Sequence, residues 1–379
     1  MRVLYIQDSL GTGGAERSNA ELWYYLREKG VKIKIVVLEH RPEGIEQEIL
    51  NAGFEVIFLD QGSFFYHVKQ LKKIISDFKP DLVHSVLFKA TMRTRSAKLL
   101  VNFKNIESLV NSTYAEIRYK DPKINSKTLR IYEKLDKISE KFGVDHFIAI
   151  TNEVARHYRQ HLNIKEEKIS IIYRGRKENT NLDKKTELRA NLSEELGVNF
   201  EGLLFIHVAR QEFQKAHLDI LKAIKIADNQ LSEAGVHFLF CGRKGNATSA
   251  IEEFLNDNRI KTKITFLGHR NDIYKLLAVS DVFVFPSLFE GLGGSLIEAQ
   301  AAGLPVICSD ISVFEEVVTP ENALFHKVNN PKSLSNQFLK ILNADRKMMG
   351  KISLKNYNDN FKLEQVNKKM VDLYKKLVE

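Results

Sequence analysis

Two glutamates, Glu290 and Glu298, stand eight residues apart in the run DVFVFPSLFEGLGGSLIEAQAAGLPVICSD, residues 281–310. In this run an apolar strand ends at Pro286, a loop carries Gly291, Gly293 and Gly294, and a helix then reaches Gly303 and Pro305. Such a loop brings bare backbone N–H groups and a helix N-terminus to one point, a combination that binds phosphate or the oxygens of a sugar phosphate. Glu290 lies on the loop at the carboxyl end of the strand, where α/β sheets hold ligands. Glu298 falls about one turn into the helix. Carboxylates accept from pairs of hydroxyls, so the two could grip a sugar and a ribose. Ser295 and Glu298 also match a capping box, in which Glu298 only ties down the helix start. Both readings stand at this point.

A second constellation lies in HVARQEFQKAHLDILKAI, residues 207–224. Arg210 ends an apolar strand, and Lys215 follows five residues on, near a helix start. A cation pair there neutralises a diphosphate. It would also stabilise the charge that builds on the diphosphate as a group leaves it. Lys215 taken alone reads better as ordinary surface charge. A third signal is GTGGAER, residues 11–17, between an apolar strand and a helix. It matches a dinucleotide fingerprint only loosely, because Glu16 stands where the third glycine belongs. Glu39 ends the next strand, as a ribose-binding acid would. A tight turn and a ligand-facing loop are equally good readings of Gly13 and Gly14.

Short apolar strands alternating with helices must position these groups. RVLYIQ, VKIKIVVLE, FEVIFLD, DLVHSVL, NIESLVN and DHFIAI are strand candidates in the first half. ISIIY leads into a second series made of GLLFIHVAR, VHFLFCG, KITFLG, DVFVFP and PVICSD. Alternating β and α units predict a parallel sheet wound on both sides, and the pattern occurs twice. With 379 residues, two domains are expected. The polar run after residue 172 sets the boundary, giving a first domain over 1–172 and a second over 173–355. Val366, Met370, Leu373 and Leu377 repeat at helical spacing. They mark a terminal amphipathic segment, 356–379, that must dock elsewhere.

The two cysteines, Cys241 and Cys308, each end an apolar run and read as buried thiols of a reducing compartment. The start is not a signal peptide, and no run is long enough to span a bilayer, so a cytoplasmic protein is expected. Net charge is +9, and residues 62–141, with 17 basic and 8 acidic side chains, account for it. FFYHVKQLKKIISDFK and IRYKDPKINSKTLRIYEKLDKISEKFG in this segment mix cations with apolar residues. Such helices either pack their apolar side on their own sheet, the preferred reading, or lie on an anionic membrane surface. No nucleic-acid reader motif accompanies the charge, so nucleic acid is not an expected partner.

Taken together, GTGGAER, the Arg210…Lys215 pair, FLGHRNDIYKLLAVSDVFVFPS and the Glu-x7-Glu loop from Glu290 to Glu298 resemble the family 4 glycosyltransferases of the GT-B fold. The resemblance implies two doubly wound Rossmann-like domains facing a central cleft, with the last helix crossing back to the N-terminal domain. It implies a retaining transfer, without a metal or other cofactor, from a nucleotide-sugar to a saccharide or lipid-linked acceptor. Uridine is the commonest donor base among such relatives and guanosine is possible. Arg210 and Lys215 would hold the diphosphate, and Glu290 the sugar, beside the backbone N–H groups of Leu292 and Gly293. Glu298 would hold the ribose, and the loop at Gly13 and Gly14 would close over the phosphates. In SLVNSTY, Asn111 takes the place of a histidine common in relatives. An amide donates to a hydroxyl but is no general base. His84 is the other acceptor-side candidate, although a lone strand histidine is more often structural. No Asp-x-Asp triplet occurs, in agreement with neutralisation by cations in place of a metal. The rival readings are a nucleotide-sugar epimerase of the same fold, a dehydrogenase using GTGG and Glu39, and a carbohydrate-binding relative without activity.

Overall fold

The structure, a computed structural model, describes residues 1–121 and 124–379. It separates into two compact units, one made of Met1–Gly175 and Leu363–Glu379, the other of Arg176–Lys362. The expected boundaries at 172/173 and 355/356 therefore shift. Residues 356–360 finish the helix Arg346–Asn360 of the second unit, and only the helix Leu363–Val378 returns to the first.

The first unit holds seven strands: β1 Arg2–Ser9, β2 Lys32–Glu39, β3 Glu55–Phe58, β4 Leu82–Val86, β5 Asn105–Leu109, β6 His146–Ala149 and β7 Ile169–Ile171. Their order is β3-β2-β1-β4-β5-β6-β7 and every pair is parallel. ISIIY thus supplies the last strand of the first sheet and does not begin the second series. Parallel strands are covered on both faces and so read as continuous apolar runs. In β1, Val3 and Tyr5 face one core with Trp23, Ile35 and Met370, while Leu4 and Ile6 face the other with Leu71, Ile75 and Val83.

The second unit holds β8 Leu204–Val208, β9 His237–Cys241, β10 Lys263–Gly268, β11 Val282–Phe285, β12 Val306–Ser309 and β13 Ala323–His326. The order is β10-β9-β8-β11-β12-β13, again all parallel. β13 was not expected, because ALFH is short and carries a histidine that points into the unit. Both cysteines are buried and unpaired, and burial pushes the Cys241 thiol up to about 11, as inert thiols require. In each unit the strand order reverses beside the first strand, between β1 and β4 and between β8 and β11. Ligands of such sheets bind at the carboxyl ends of those strands.

The basic segment 62–141 includes Pro122 and Lys123, which lie outside the described residues. Its two basic helices behave differently. Phe64–Phe78 packs its apolar side, Val68, Leu71, Ile75 and Phe78, on the sheet as expected. Ser126–Gly143 does not: it buries Leu129, Asp136, Glu140 and Gly143, and it exposes Ile131, Leu135, Ile138 and Phe142.

Candidate active site

The carboxyl ends of β8 and β11 are clipped together in the second unit. After β8 the chain makes a single turn over Phe213–Lys215 before the helix His217–Ile226. After β11 it passes Ser287 to Gly293 and enters the helix Gly294–Ala301. Leu288 N donates to Gln214 O (2.8 Å), Gln214 Nε2 donates to Phe289 O (2.6 Å), and Lys215 Nζ forms an ion pair with Glu290. Lys215 also lies 5.4 Å from the centre of the Phe285 ring. Two groups 75 residues apart thus meet, as the resemblance requires. Lys215 alone had read as surface charge, yet its side chain is only 17% exposed. An ammonium has three donors, so a bond to Glu290 leaves two for phosphate oxygens.

Arg210 is placed differently. Its side chain is 57% exposed and turned toward Glu212 of its own loop at 3.8 Å, with no ion pair to Glu290. Beneath these loops His207 is buried, and its Nδ1–H donates to Val284 O (2.8 Å). Burial, aided by the charge of Lys215, lowers its pKa to about 4, so this histidine stays neutral at pH 7.

Glu298 does not form the capping box. The helix N-cap is Gly293, at φ 83° and with no side-chain cap bond, which puts Ser295 inside the helix. Arg176 Nε donates to Glu298 Oε1 (3.0 Å). Arg176 is itself held by Phe361 O, which accepts its backbone N–H (3.0 Å), and by Tyr357, whose hydroxyl donates to Arg176 O (3.0 Å). Its guanidinium lies across the loop, so a Cβ on Gly294 would meet Arg176 Nη2 at 2.0 Å. A Cβ on Gly293 would crowd Phe314 and Phe285 as well as straining the positive φ. Sequence reasoning missed Arg176, which lies in a charged run read only as a domain boundary, 122 residues from its partner. Gln214 was missed too, since nothing in the sequence marks a side chain that binds only a backbone oxygen.

In the first unit the helix Gly14–Glu28 starts at the GTGG loop with Gly13 as its N-cap. The Glu16 carboxylate folds back over this loop, and a Cβ on Gly13 would meet Glu16 Oε2 at 2.3 Å. A Cβ on Gly14 would meet nothing within 4 Å. A side chain at Gly13 would displace the Glu16 carboxylate, whereas one at Gly14 would displace nothing. Glu39 forms ion pairs with Lys89 and with Arg41 (3.9 Å), and the Lys89 bond lowers its pKa. Asp8, near the end of β1, accepts the backbone N–H of Ala90 (2.7 Å) at the start of the helix Phe88–Lys98. Burial pushes its carboxyl up to about 6.

Asn111 follows β5, and its buried Oδ1 has no hydrogen-bond partner among the described residues. An unpartnered buried acceptor is rare and calls for an explanation such as a ligand. The acceptor-side reading of His84 is corrected. This residue is fully buried, with Nδ1 bonded to Tyr374 Oη (2.5 Å) and Tyr5 Oη (3.1 Å), and Nε2 to Ser108 Oγ (2.8 Å). Burial lowers its pKa well below the usual value. His84 is a clamp that joins the sheet to Tyr374 on the returning helix.

Residues 189–358 match the family model described as glycosyl transferases group 1, and residues 12–178 match glycosyltransferase family 4. The chain belongs to the family 4 glycosyltransferases. This glycosyltransferase is 27% identical over 291 residues to the N,N'-diacetylbacillosaminyl-diphospho-undecaprenol alpha-1,3-N-acetylgalactosaminyltransferase of Campylobacter jejuni, covering 75% of this chain and 72% of that one. It is 28% identical over 325 residues to the UDP-Gal:alpha-D-GlcNAc-diphosphoundecaprenol alpha-1,3-galactosyltransferase of Escherichia coli, covering 81% and 80%. Its fold is that of Anabaena HepE, solved in complex with UDP-glucose, at a TM-score of 0.83 and 16% identity over 99% of this chain and 100% of that one. The two-domain α/β architecture and the transferase class read from the sequence both hold.

Proposed function

We propose that this glycosyltransferase moves a sugar from a UDP-sugar to a saccharide or lipid-linked saccharide, with retention and without a metal, in cell-surface polysaccharide or glycolipid synthesis. The observation that carries the donor site is the Lys215–Glu290 pair, clipped across the carboxyl ends of β8 and β11. Lys215 and Arg210 neutralise the diphosphate, with Arg210 swinging in from solvent. The N-terminal turn of Gly294–Ala301 adds its dipole. Glu290 accepts from hydroxyls of the transferred sugar, beside the backbone N–H groups of Leu292 and Gly293, and Glu298 accepts from the ribose.

As the bond from the anomeric carbon to the β-phosphate oxygen breaks, negative charge grows on that oxygen. Lys215 and Arg210 stabilise it there more than in the ground state. The acceptor oxygen bonds to the anomeric carbon from the same face, and its proton passes to the departing phosphate. Asn111, no base, serves to orient an acceptor hydroxyl through its unpartnered Oδ1. Gly14, where a Cβ would meet nothing within 4 Å, leaves the start of the helix Gly14–Glu28 open to a phosphate. Relatives named for undecaprenol-diphosphate substrates support a lipid-linked acceptor. No helix among the described residues is long and apolar enough to cross a membrane. The chain is proposed to work at the cytoplasmic face of one, held at its surface.

The test is thermal unfolding with UDP, GDP and ADP, followed by NMR of the product with a matching donor and an acceptor saccharide. UDP should stabilise by about 2.7 kcal/mol at a hundred times its Kd. The product should keep the anomeric configuration of the donor, and EDTA should leave turnover intact. No stabilisation by any of the three nucleotides would overturn the donor site. Epimerised sugar formed without acceptor would favour the epimerase.

A further inference from the structure

The helix Ser126–Gly143 is attached to the first unit by its polar side. Asp136 pairs with buried Arg95 (2.6 Å), Ser139 Oγ accepts from the same guanidinium (2.8 Å), and the Gly143 carbonyl accepts from Asn105 Nδ2 (2.6 Å). A Cβ on Gly143 would meet the Arg95 side chain at 2.4 Å, so the helix sits tight against Phe88–Lys98. A surface helix ordinarily turns its apolar stripe inward. Here the stripe faces out: Ile131, Leu135, Ile138 and Phe142 are 56%, 46%, 62% and 67% exposed. At 100° per residue these four fall within an arc of about 60°. Lys127, Arg130, Lys134, Lys137 and Lys141 fall in the adjoining arc of about 80°, all on one flank. Two of the three acids of this helix, Asp136 and Glu140, are buried on the opposite side, and the third, Glu133, is engaged by His161 (2.5 Å).

We infer that Ser126–Gly143 is a membrane-docking surface, which lays its apolar stripe among the acyl chains of an anionic leaflet while the basic flank meets the headgroups. Charge decides the occupant. An apolar stripe with a single-sign flank matches a surface that is apolar within and anionic at the rim. A second copy would offer the same basic flank to its twin, and like charges oppose a self-complementary contact. The inference deepens the reading above by naming the part that holds the chain at the membrane, and it rests on that reading for the membrane location while its test is separate from that of the donor site.

The test is flotation of the full chain with vesicles of equal parts phosphatidylglycerol and phosphatidylcholine, against phosphatidylcholine alone, at low salt. The chain should float with the first and not the second, and added salt should weaken the binding. The double variant Ile138→Glu, Phe142→Glu should lose at least about tenfold in binding, and Lys134→Gln, Lys141→Gln about tenfold. Both pairs leave the melting temperature and the UDP-induced shift unchanged, since these side chains are outside the core, so a loss of fold or of donor binding is told apart. Failure of the wild type to float, or equal flotation of the glutamate variant, would overturn the inference. So would a dimer in sedimentation that the glutamate variant splits while the wild type ignores vesicles.

Discussion

Arg95 in the first unit and Lys215 in the second each pair with a glutamate, and the surroundings of the two pairs differ. Arg95 is saturated. Its Nε and Nη2 donate to both oxygens of Glu107 (2.7 and 2.6 Å), and Nη1 reaches Asp136 and Ser139. Asp136 also accepts from the Tyr114 hydroxyl (2.6 Å). Side-chain exposures in this cluster are 4%, 1% and 7%. Burial opposes the Arg95 charge, but Glu107 and Asp136 more than offset it and hold the guanidinium protonated. Burial also raises the Glu107 pKa, with Arg95 opposing. Lys215 and Glu290 instead stand on loops at strand ends, with one bond between them and donors left over. A saturated pair fixes structure, while an unsaturated pair on a loop can exchange its partner for a ligand.

Removing the cation from each pair should separate these roles. Arg95→Met leaves two carboxylates buried face to face, and the expected cost is about 3–5 kcal/mol of folding stability in urea titration at pH 7. The sign of its pH dependence follows from the same geometry. Glu107, whose pKa burial raises and Arg95 no longer opposes in the variant, holds a proton in the folded state that the unfolded chain, at about 4.3 for Glu, has released. The variant therefore gains stability as pH falls from 7 toward 5. Activity per folded molecule should stay near the wild-type value. Lys215→Ala should do the reverse, lowering kcat by about 10²–10³-fold, the scale for loss of a transition-state charge stabiliser, with little change in melting temperature. A Lys215→Ala variant that melts early and turns over normally would erase the distinction.

The sequence made these two pairs unequally visible. Glu290 and Glu298 were legible because punctuation by Gly291, Gly293 and Gly294 placed them on the loop and helix that follow a strand, where chemistry gathers, whereas Lys215 was visible only through its spacing from Arg210 at the end of another strand. The double sheet was legible for a related reason: two-sided burial leaves apolar runs such as Val282–Phe285 that no surface strand shows. The Arg95 cluster left no such mark, since its members are scattered over two helices and a strand with no fixed spacing. His84 misled because a histidine on a strand looks the same whether it faces a ligand or the hydroxyls of Tyr5 and Tyr374. The second basic helix misled more deeply. Periodicity shows that a helix has an apolar side, but its inward direction is set by distant partners, here Arg95 and Asn105.

Arg176 and Glu298 form a pair between the two extremes, 15% and 20% exposed, and their variant sharpens the comparison most finely. The Arg176 backbone is fixed by Phe361 and Tyr357, so its guanidinium is a preset arm laid over Gly294. It donates to Glu298, the proposed ribose ligand. Its effect should therefore appear in donor binding and not in the breaking of the sugar–phosphate bond. Arg176→Ala leaves the Glu298 carboxylate without this orienting donor, and the expected result is a rise of about 3- to 10-fold in donor KM, near 1 kcal/mol, with kcat changed less than about twofold. Arg176→Lys should restore little, because an ammonium cannot reproduce the Nε geometry. A fall in kcat as large as that of Lys215→Ala would mean that Arg176 reaches the reacting phosphate, and the two pairs would then be one site with a shared task.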